Sequence, residues 1–231
     1  MKYDKDFIEK SIKQLGRRFG VSESFRDVVV CCAYSLANFT DYSDDRENEY
    51  LRIINKYNKD EQDLFPKILT ALMNEYSNVD DVKDVLGDIY ENLNLTKKGA
   101  AQFFTPIDVC KVMAKITIND DNYKKYIEEK GYVDVSDPAC GSGRNLYASY
   151  KELLDLGIDN DKILLIGDDI DLTCCCMTYI QLSLMGANAI VHHADTLSGE
   201  LFDTFYTISF MNKFRFHNKL NENNKDEDIE K

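Results

Sequence analysis

Apolar residues recur at three- and four-residue spacing through the first 95 residues of the chain. This spacing places apolar side chains along one side of an α-helix. Two runs that show it are Phe7-Ile8-Ile12-Leu15 and Val82-Val85-Leu86-Ile89. Strand-forming patterns are few here, and a polar break at residues 40–46 separates two of the helical runs. The pattern therefore predicts a helical N-terminal region over residues 1–95.

The hydrophobic pattern changes at about residue 132, where short β-favouring runs begin to alternate with helical ones. The predicted strands are 132–135, 163–166 and 189–191, and the predicted helices are about 143–155 and 172–185. Such alternation predicts right-handed βαβ units, that is, a parallel sheet with helices on both faces. A fourth strand is predicted to open at Phe202 and Asp203, to run through Phe205 to Phe210 and to end in residues 212–216.

The chain is accordingly divided into three parts. A helical region covers residues 1–95, an α/β domain covers residues 96–216, and a polar, charged tail covers residues 217–231. The tail has too few apolar residues to pack, so we expect it to be disordered. The middle part is predicted to be an α/β domain built on a partial parallel sheet.

Acidic residues outnumber basic ones, and the formal net charge of the 231 residues is −13. A negative surface repels the phosphate backbone of nucleic acids unless basic residues gather on one face or a partner supplies them. Any binding of DNA by the chain alone is therefore expected to be weak. No apolar run approaches the roughly 20 residues that span a bilayer, and the N-terminus lacks the layout of a signal peptide. We expect a cytoplasmic protein with no membrane partner.

The chain has seven cysteines, an odd number with no C-x-x-C pair, which disfavours a zinc site of cysteine pairs. Reduced, mostly buried thiols fit this pattern better. The neighbouring His192 and His193 also suggest a metal site. Adjacent residues of a strand point to opposite faces, however, and no acid or cysteine stands at ligand spacing from both. No metal is expected.

A glycine-containing segment, Asp137-Pro138-Ala139-Cys140-Gly141-Ser142-Gly143, follows the first predicted strand directly and precedes a helix. In that setting the glycines let the backbone approach a ligand, and the free N–H groups at the helix start can face a carboxylate. Leu146 stands where a dinucleotide fingerprint has its third glycine, which disfavours a nicotinamide cofactor. An ordinary tight turn is the alternative interpretation of this segment.

Two acids lie at the ends of the next two predicted strands. Asp169 follows the glycine segment at a spacing close to the roughly 20 residues expected of an acid that binds ribose hydroxyls. Asp195 lies at the carboxyl end of the third strand, where open α/β folds bind ligands, and its carboxylate would suit an adenine amino group. Taken alone, such acids usually lie in solvated turns or cap helices. Together with the glycine segment they favour a bound nucleoside.

These motifs, with residues 84–91 and 101–106 before them, resemble the gamma-type N6-adenine DNA methyltransferases. The similarity is strongest to the modification subunits of type I restriction systems and to their short relatives on phages and other mobile elements. It covers roughly residues 83–207, and the motifs occur in the order of the family. The resemblance implies a Rossmann-like, S-adenosylmethionine-dependent methyltransferase fold with a helical N-terminal region that covers part of the cofactor.

The resemblance also implies S-adenosylmethionine as the cofactor and assigns residues to it. The residues expected to bind it are Phe104, Thr105, Pro106, Asp137, Ala139, Gly141, Gly143, Asp169, Ile170 and Asp195. Phe104 and Thr105 would contact the methionine moiety, and Pro106 would open the next helix at its first turn. Asp137 and Gly141 would hold the amino-acid portion. Asp169 would bind the ribose, Asp195 the adenine ring, and Ile170 the face of that ring.

The chain departs from the family at the fourth strand, because it lacks the Asn-Pro-Pro-aromatic motif that holds the target amine and stacks on the flipped base. Its prolines are Pro66, Pro106 and Pro138, all upstream of the third strand. Asn212 is the one nearby candidate for a catalytic contact with the amine.

Two hypotheses about function follow. In the first, the chain binds S-adenosylmethionine and acts as an adenine-specific DNA methyltransferase, with another polypeptide or a second copy completing the site. In the alternative, it is a catalytically silent protein that binds the cofactor or a partner and so modulates restriction and modification. An exposed edge at the fourth strand would favour a homodimer.

Overall fold

The computed structural model describes residues 4–77, 83–95, 104–118 and 120–213. Two expectations from the sequence therefore fall outside the described residues. One is the disordered tail at 217–231, and the other is the first part of the motif at 101–106.

The N-terminal part is helical as predicted. Its helices are α1 (Lys5–Phe19), α2 (Val21–Thr40), α3 (Asp44–Ile54), α4 (Lys59–Gln62), α5 (Leu64–Tyr76) and α6 (Val85–Asn92). The predicted polar break is confirmed, because α2 ends at Thr40 and α3 begins at Asp44. Ser43 caps α3 by accepting a hydrogen bond from the backbone N–H of Arg46. A side-chain acceptor at this position satisfies a backbone donor that the helix itself leaves unpaired.

The second part alternates helices and strands. Its elements are α7 (Ile107–Thr117), α8 (Asp120–Lys130), β1 (Val133–Asp137), α9 (Arg144–Asp155), β2 (Ile163–Asp169), α10 (Leu172–Leu184), β3 (Ala189–Asp195) and β4 (Glu200–Tyr206). The predicted order of strands and helices is confirmed through β3. A last helical turn follows β4 at residues 208–213.

The four strands form one sheet in the order β1-β2-β3-β4. The pairs β1–β2 and β2–β3 are parallel, as predicted, whereas β4 is antiparallel to β3. The prediction for the fourth strand was wrong in its extent, since β4 begins at Glu200 and ends at Tyr206. Only residues 196–199 separate β3 from β4. A connection this short joins antiparallel neighbours, whereas a parallel pair needs a long crossover.

Both crossover helices lie on the same face of the sheet, so the prediction of helices on both faces was wrong. A Cβ on Gly167 of β2 would meet Leu146 of α9. Gly167 pairs with Val191 of β3, and Val191 pairs with Phe205 of β4, so these residues lie on one face. The ring of Phe205 contacts Tyr179 of α10 on that face. The strands advance in one direction from β1 to β3, and successive right-handed crossovers then fall on one side.

One hydrophobic core unites the helical region with the sheet. Phe205 of β4 is fully buried, and its ring centroid lies 6.1 Å from that of Tyr34 in α2 and 5.3 Å from that of Tyr179 in α10. Aromatic pairs at such distances add to the stabilisation from burial. The N-terminal helices are therefore packed against the sheet. No helix of the described residues is long and apolar enough to cross a membrane.

All seven cysteines are buried and free, which confirms the prediction of buried thiols. Burial disfavours the charged thiolate and raises the pKa of each thiol. For Cys32 the pKa rises to about 12. Cys174, Cys175 and Cys176 lie on the part of α10 that packs into the core.

Arg46 fastens α3 to the last strand. Its guanidinium is buried, and two of its nitrogens lie 3.0 and 2.7 Å from the carboxylate oxygens of Asp203. It also donates to the carbonyls of Asp41 and Thr204 and lies over the ring of Phe205, 5.1 Å from the centroid. Only a planar guanidinium presents this many donors at once.

We expect Arg46→Ala to lower the free energy of unfolding by about 3 kcal/mol, because it removes the positive charge that the Asp203 carboxylate contacts and the donor of two carbonyls. Urea denaturation followed by circular dichroism measures this change. Arg52 is the matched control, since it is exposed and pairs with Glu49 within one helix. Arg52→Ala should cost less than about 1 kcal/mol, and equal losses in the two variants would contradict the proposed role of Arg46.

Candidate functional site

The glycine segment forms a tight loop between β1 and α9. Gly141 and Gly143 both have positive φ values, 56° and 97°, a region that glycine adopts without strain. A Cβ on Gly141 would lie 3.1 Å from the Phe104 ring, so a larger residue would push that ring away. The hydroxyl of Thr178 donates to the carbonyl of Gly141 at 2.9 Å. The loop is therefore fixed by its own backbone and by α10.

Asp169, at the end of β2, holds this loop from the other side. One carboxylate oxygen accepts the N–H of Gly141 at 2.8 Å, and the other accepts the N–H of Asp171 at 2.9 Å. The side chain is largely buried, and burial raises the pKa of Asp169 above that of an ordinary aspartate. Each carboxylate oxygen can accept a second hydrogen bond, so Asp169 keeps the capacity to bind a hydroxyl group.

A cavity of about 290 Å³ opens between the loop, Asp169 and the segment that precedes α7. Its lining brings together six of the residues predicted from the sequence. These are Phe104, Thr105, Ala139, Gly141, Asp169 and Ile170. The remaining lining residues are Cys140, Ser142, Arg144, Asn145 and Cys174. The position fits the rule that open α/β sheets bind ligands at the carboxyl ends of their strands.

Three other predicted residues border the cavity lining without belonging to it. Pro106 and Gly143 are the residues that precede α7 and α9. Asp137 is separated from the cavity by one side chain, because its carboxylate accepts a hydrogen bond at 3.2 Å from the amide of Asn145. Its other oxygen accepts the N–H of Ala139 at 3.1 Å. Asp137 therefore shapes the loop and orients a residue that does line the cavity.

Asp195 lies outside the cavity lining, at the last residue of β3, where the exposed turn to β4 begins. Its carboxylate accepts the N–H groups of Leu197 and Ser198 at 3.0 and 3.4 Å. Hydrogen bonds from Ser198 and Leu197 lower the pKa of Asp195, as expected for a carboxylate stabilised in its charged form. In this structure Asp195 organises the turn that reverses the chain.

The structure does not bring Asn212 to the predicted site. Because β4 runs antiparallel to β3, it ends beside the beginning of β3, where the N–H of Thr207 donates to the carbonyl of Ala189 at 3.1 Å. The helical turn that follows is held there by Ser209, whose hydroxyl donates to the carbonyl of Gly186 at 2.9 Å. Asn212 therefore lies at the opposite edge of the sheet from Asp169.

Sequence reasoning missed the cation of the site, Arg144. Its guanidinium nitrogens lie 2.6 Å from Asp84, 3.2 Å from Asp88 and 2.9 Å from Glu91. It also lies over the Phe104 ring, 5.4 Å from the centroid. Burial lowers the pKa of Arg144, but hydrogen bonds to Glu91 and Asp84 outweigh it and raise the pKa. The spacing of the three acids on one side of a helix could have indicated a cationic partner.

Asp84 is the centre of a buried polar network. Beside Arg144, its carboxylate accepts the Ser142 hydroxyl at 2.6 Å, the Gln181 amide at 3.0 Å and the Gly87 N–H at 2.8 Å. Burial raises the pKa of Asp84, and these donors oppose that rise. Since four donors surround it and one carries a full charge, we assign it as the ionised carboxylate. The network ties α6, the glycine loop and α10 to one another.

Two further features mark the surroundings of the cavity. The carboxamide oxygen of Asn145 is buried and has no hydrogen-bond partner, an unfavourable state for an acceptor. A second cavity, of about 670 Å³, is lined by the first turns of α2 and α10 and shares Ile170 with the first. Among the described residues, no group of three or more His, Cys, Asp and Glu is arranged to hold a metal ion.

Comparison with protein families gives a match to the family described as N-6 DNA Methylase, over residues 81–229. Among curated proteins, the type I restriction enzyme MjaVIII methylase subunit of Methanocaldococcus jannaschii is 30% identical over 148 residues, 60% of this chain and 23% of that protein. The MjaIX methylase subunit of the same organism is 26% identical over 167 residues, 64% of this chain and 28% of that protein. The chain thus spans about a quarter of the length of these relatives.

Two solved structures are also similar. One is described as a class I S-adenosylmethionine-dependent methyltransferase from Listeria monocytogenes, with a TM-score of 0.45 and 17% identity over 79% of this chain and 56% of that one. The other is the type I restriction-modification system methyltransferase subunit from Streptococcus thermophilus, with a TM-score of 0.42 and 16% identity over 84% of this chain and 58% of that one.

We expect Asp84→Asn to lower the free energy of unfolding by about 3 kcal/mol, because it leaves the buried Arg144 without its innermost counter-charge. Asp88 provides the control, since it contacts the same guanidinium but is about half exposed. Asp88→Asn should cost less than about 1 kcal/mol. Guanidinium chloride denaturation of both variants tests the comparison, and an Asp84→Asn protein as stable as the wild type would show that the network does not hold the fold together.

Proposed function

Because the chain belongs to the N-6 DNA methylase family, we propose that it binds S-adenosylmethionine in the cavity between the glycine loop and Asp169. We further propose that it serves as the cofactor-holding part of an N6-adenine DNA methyltransferase of the type I restriction-modification kind. The observation that carries the proposal is the convergence of Phe104, the loop at Gly141 and Asp169 on one cavity, since separate parts of the sequence supply them.

The amino-acid end of the cofactor finds complementary groups at the loop. A bound ammonium group would give the buried carboxamide oxygen of Asn145 the donor that it lacks. Asp137, which accepts a hydrogen bond from the same carboxamide, adds a negative charge nearby. The N–H groups of Gly141 and Gly143 already donate to Asp169 and to the carbonyl of Cys140, so a bound carboxylate would face the N–H groups of the first turn of α9 instead.

The nucleoside end finds a fixed acceptor in Asp169. Its two backbone hydrogen bonds hold the carboxylate in place before any ligand arrives, so little ordering is left to be done on binding. Its remaining lone pairs can accept the two hydroxyls of a ribose. Ile170 is 62% exposed and lines the cavity, so its side chain offers an apolar face beside the sugar.

The electrostatics of the cavity suit a cationic ligand. Three acids, Asp84, Asp88 and Glu91, surround the single positive charge of Arg144, so the cluster keeps a net negative charge even after Lys5 pairs with Asp88. When bound, S-adenosylmethionine supplies a methyl group on a positively charged sulfur. The chain's own residues bind and orient it, and proximity accounts for much of the acceleration in such transfers.

The groups that hold the target adenine are proposed to lie outside this cavity. Asn212 lies at the opposite sheet edge, and the chain lacks the Asn-Pro-Pro-aromatic motif. Its net charge of −13 also disfavours tight unaided contact with DNA. We therefore propose that a partner polypeptide, or a second copy of the chain, holds the target adenine, and that the chain alone binds the cofactor without transferring its methyl group to DNA. Transfer of radiolabelled methyl groups to DNA by the purified chain would contradict this division.

We expect titration calorimetry to show micromolar binding of S-adenosylmethionine by the wild-type chain. Asp169→Ala should weaken it at least tenfold, or about 1.4 kcal/mol, because the variant removes the ribose acceptor. Asp168→Ala is the control, since the neighbouring side chain points to the other face of the sheet. Asp169→Asn should retain the contact to Gly141 and give an intermediate loss. If the folded wild-type chain produces no heat of binding, the proposed function is wrong.

The affinity should also depend on pH. A protonated Asp169 loses acceptor capacity, and its raised pKa means that protonation begins at a higher pH than for an exposed aspartate. Affinity is therefore expected to be full above the raised pKa and to fall as the pH is lowered through it. Asp169→Asn should lack this component. Parallel pH profiles for the wild type and Asp169→Asn would show that another group is responsible.

A further inference from the structure

Helix α7 carries a row of exposed apolar side chains. They stand at the spacing i, i+3, i+4 and i+7, so they follow one side of the helix. Their exposed fractions are 46%, 55%, 49% and 74%, in the order Val109, Val112, Met113 and Ile116. Exposed apolar groups that are contiguous, rather than scattered, mark binding surfaces. We call these four residues the α7 stripe.

The α7 stripe is not the side of the helix that packs within the chain. Cys110 and Ala114 are buried and form a small apolar cluster with Ala148 of α9. At 3.6 residues per turn, the middle of this buried side lies about 130° around the helix from the middle of the stripe. A surface helix usually presents polar residues there. Helix α7 therefore has a second apolar side, which the described part of the chain leaves exposed.

The charges beside the α7 stripe are of opposite sign and lie on one flank. Asp108 and Lys115 stand seven residues apart, which returns them to nearly the same side of the helix, and both are exposed. The other flank ends at Thr117, which is uncharged. Lys111 is partly buried and lies nearer the side that packs on α9. One flank thus carries an acid near the start of the helix and a base near its end.

This charge pattern is complementary to itself when two helices run antiparallel. A two-fold axis between Val112 and Met113 would place Asp108 of each copy against Lys115 of the other. A parallel pair would instead set both charges against the uncharged flank at Thr117. Charged flanks of an apolar seam fix the orientation of helix pairs in this way. A surface that matches itself about a two-fold axis is the usual basis of homodimers.

We infer that the α7 stripe is a self-association surface, through which two copies of the chain pair by antiparallel packing of their α7 helices. The inference is independent of the proposed function, because no residue of the stripe lines the cavity. Helix α7 has 11 residues. Two helices of this length bury less than the roughly 1,200 Å² at which standard interfaces begin. We therefore expect a weak dimer that forms as the concentration rises.

Sedimentation equilibrium of the full chain over a series of concentrations should show the mass rising from monomer toward dimer. Met113→Glu should raise the dissociation constant at least about tenfold, because it sets two carboxylates against each other beside the two-fold axis. Met73→Glu is the matched control, since Met73 lies on α5 and is 53% exposed, against 49% for Met113. It should dimerise as the wild type does. Circular dichroism should show both variants folded, because the replaced side chains are exposed.

The charged flank gives a second, more specific test. Asp108→Lys and Lys115→Asp should each raise the dissociation constant by about 3- to 30-fold, because each turns two attractive contacts into repulsive ones. Mixing the two variants should restore dimers, since every flank contact in the mixed pair then joins opposite charges. The double variant Asp108→Lys/Lys115→Asp should dimerise like the wild type. High salt should reduce all of these differences.

Three results would overturn the inference. A wild type that stays monomeric up to about 1 mM would show that the stripe does not pair with itself. Equal dimerisation by Met113→Glu and the wild type would place the interface elsewhere. Mixed charge variants that fail to dimerise would exclude the antiparallel arrangement. Calorimetry keeps the proposed function separate, because Met113→Glu should bind S-adenosylmethionine as the wild type does whether or not the chain forms dimers.

Discussion

The hydrogen bonds to the buried carboxylate of Asp84 are the interaction on which the rest of the site depends. Taking an ionised carboxylate out of water costs several kcal/mol unless donors surround it. Here Arg144, Ser142, Gln181 and the Gly87 N–H converge on its two oxygens from α9, the glycine loop, α10 and α6. Moving any of these elements would leave a buried charge with fewer donors. The position of the loop is therefore coupled to the position of the N-terminal helices.

This coupling gives the helical region a role in the cavity. Arg144 joins Asp84 to Glu91 of α6 and lies over the Phe104 ring, and Tyr90 of α6 stands 5.5 Å from the same ring. One wall of the cavity thus rests on α6, a helix that precedes the glycine loop. On the opposite wall, Asp169 fixes Gly141 through a single hydrogen bond. A site whose groups are held from both sides binds its ligand with less loss of conformational freedom.

The direction of β4 separates the cavity from the segment that carries Asn212. Because the turn after Asp195 is short, the strand runs back toward the amino ends of the parallel strands. The residues proposed to bind the cofactor stay at the carboxyl edge, and the segment that carries Asn212 is taken to the other edge. The same reversal, with its bulge, brings the ring of Phe202 beside that of His193. The antiparallel direction of β4 thus places Asn212 away from the cavity and Phe202 against His193.

Local patterns in the sequence were sufficient to predict the helices before residue 95, the strands β1 to β3, the glycine loop and the acid at Asp169. Each depends on periodicity or on the conformations open to glycine, which neighbouring residues decide. The motif order also led to the correct family.

The common face of α9 and α10 was missed because it depends on which neighbour each strand pairs with. The Asp84 network could not be predicted either, since its hydrogen bonds join residues 60 and 97 positions apart. The direction of β4 and the contact between His193 and Phe202 likewise arise from pairing between strands. Only the tertiary structure decides these features, because they depend on which distant groups fill the space beside a residue.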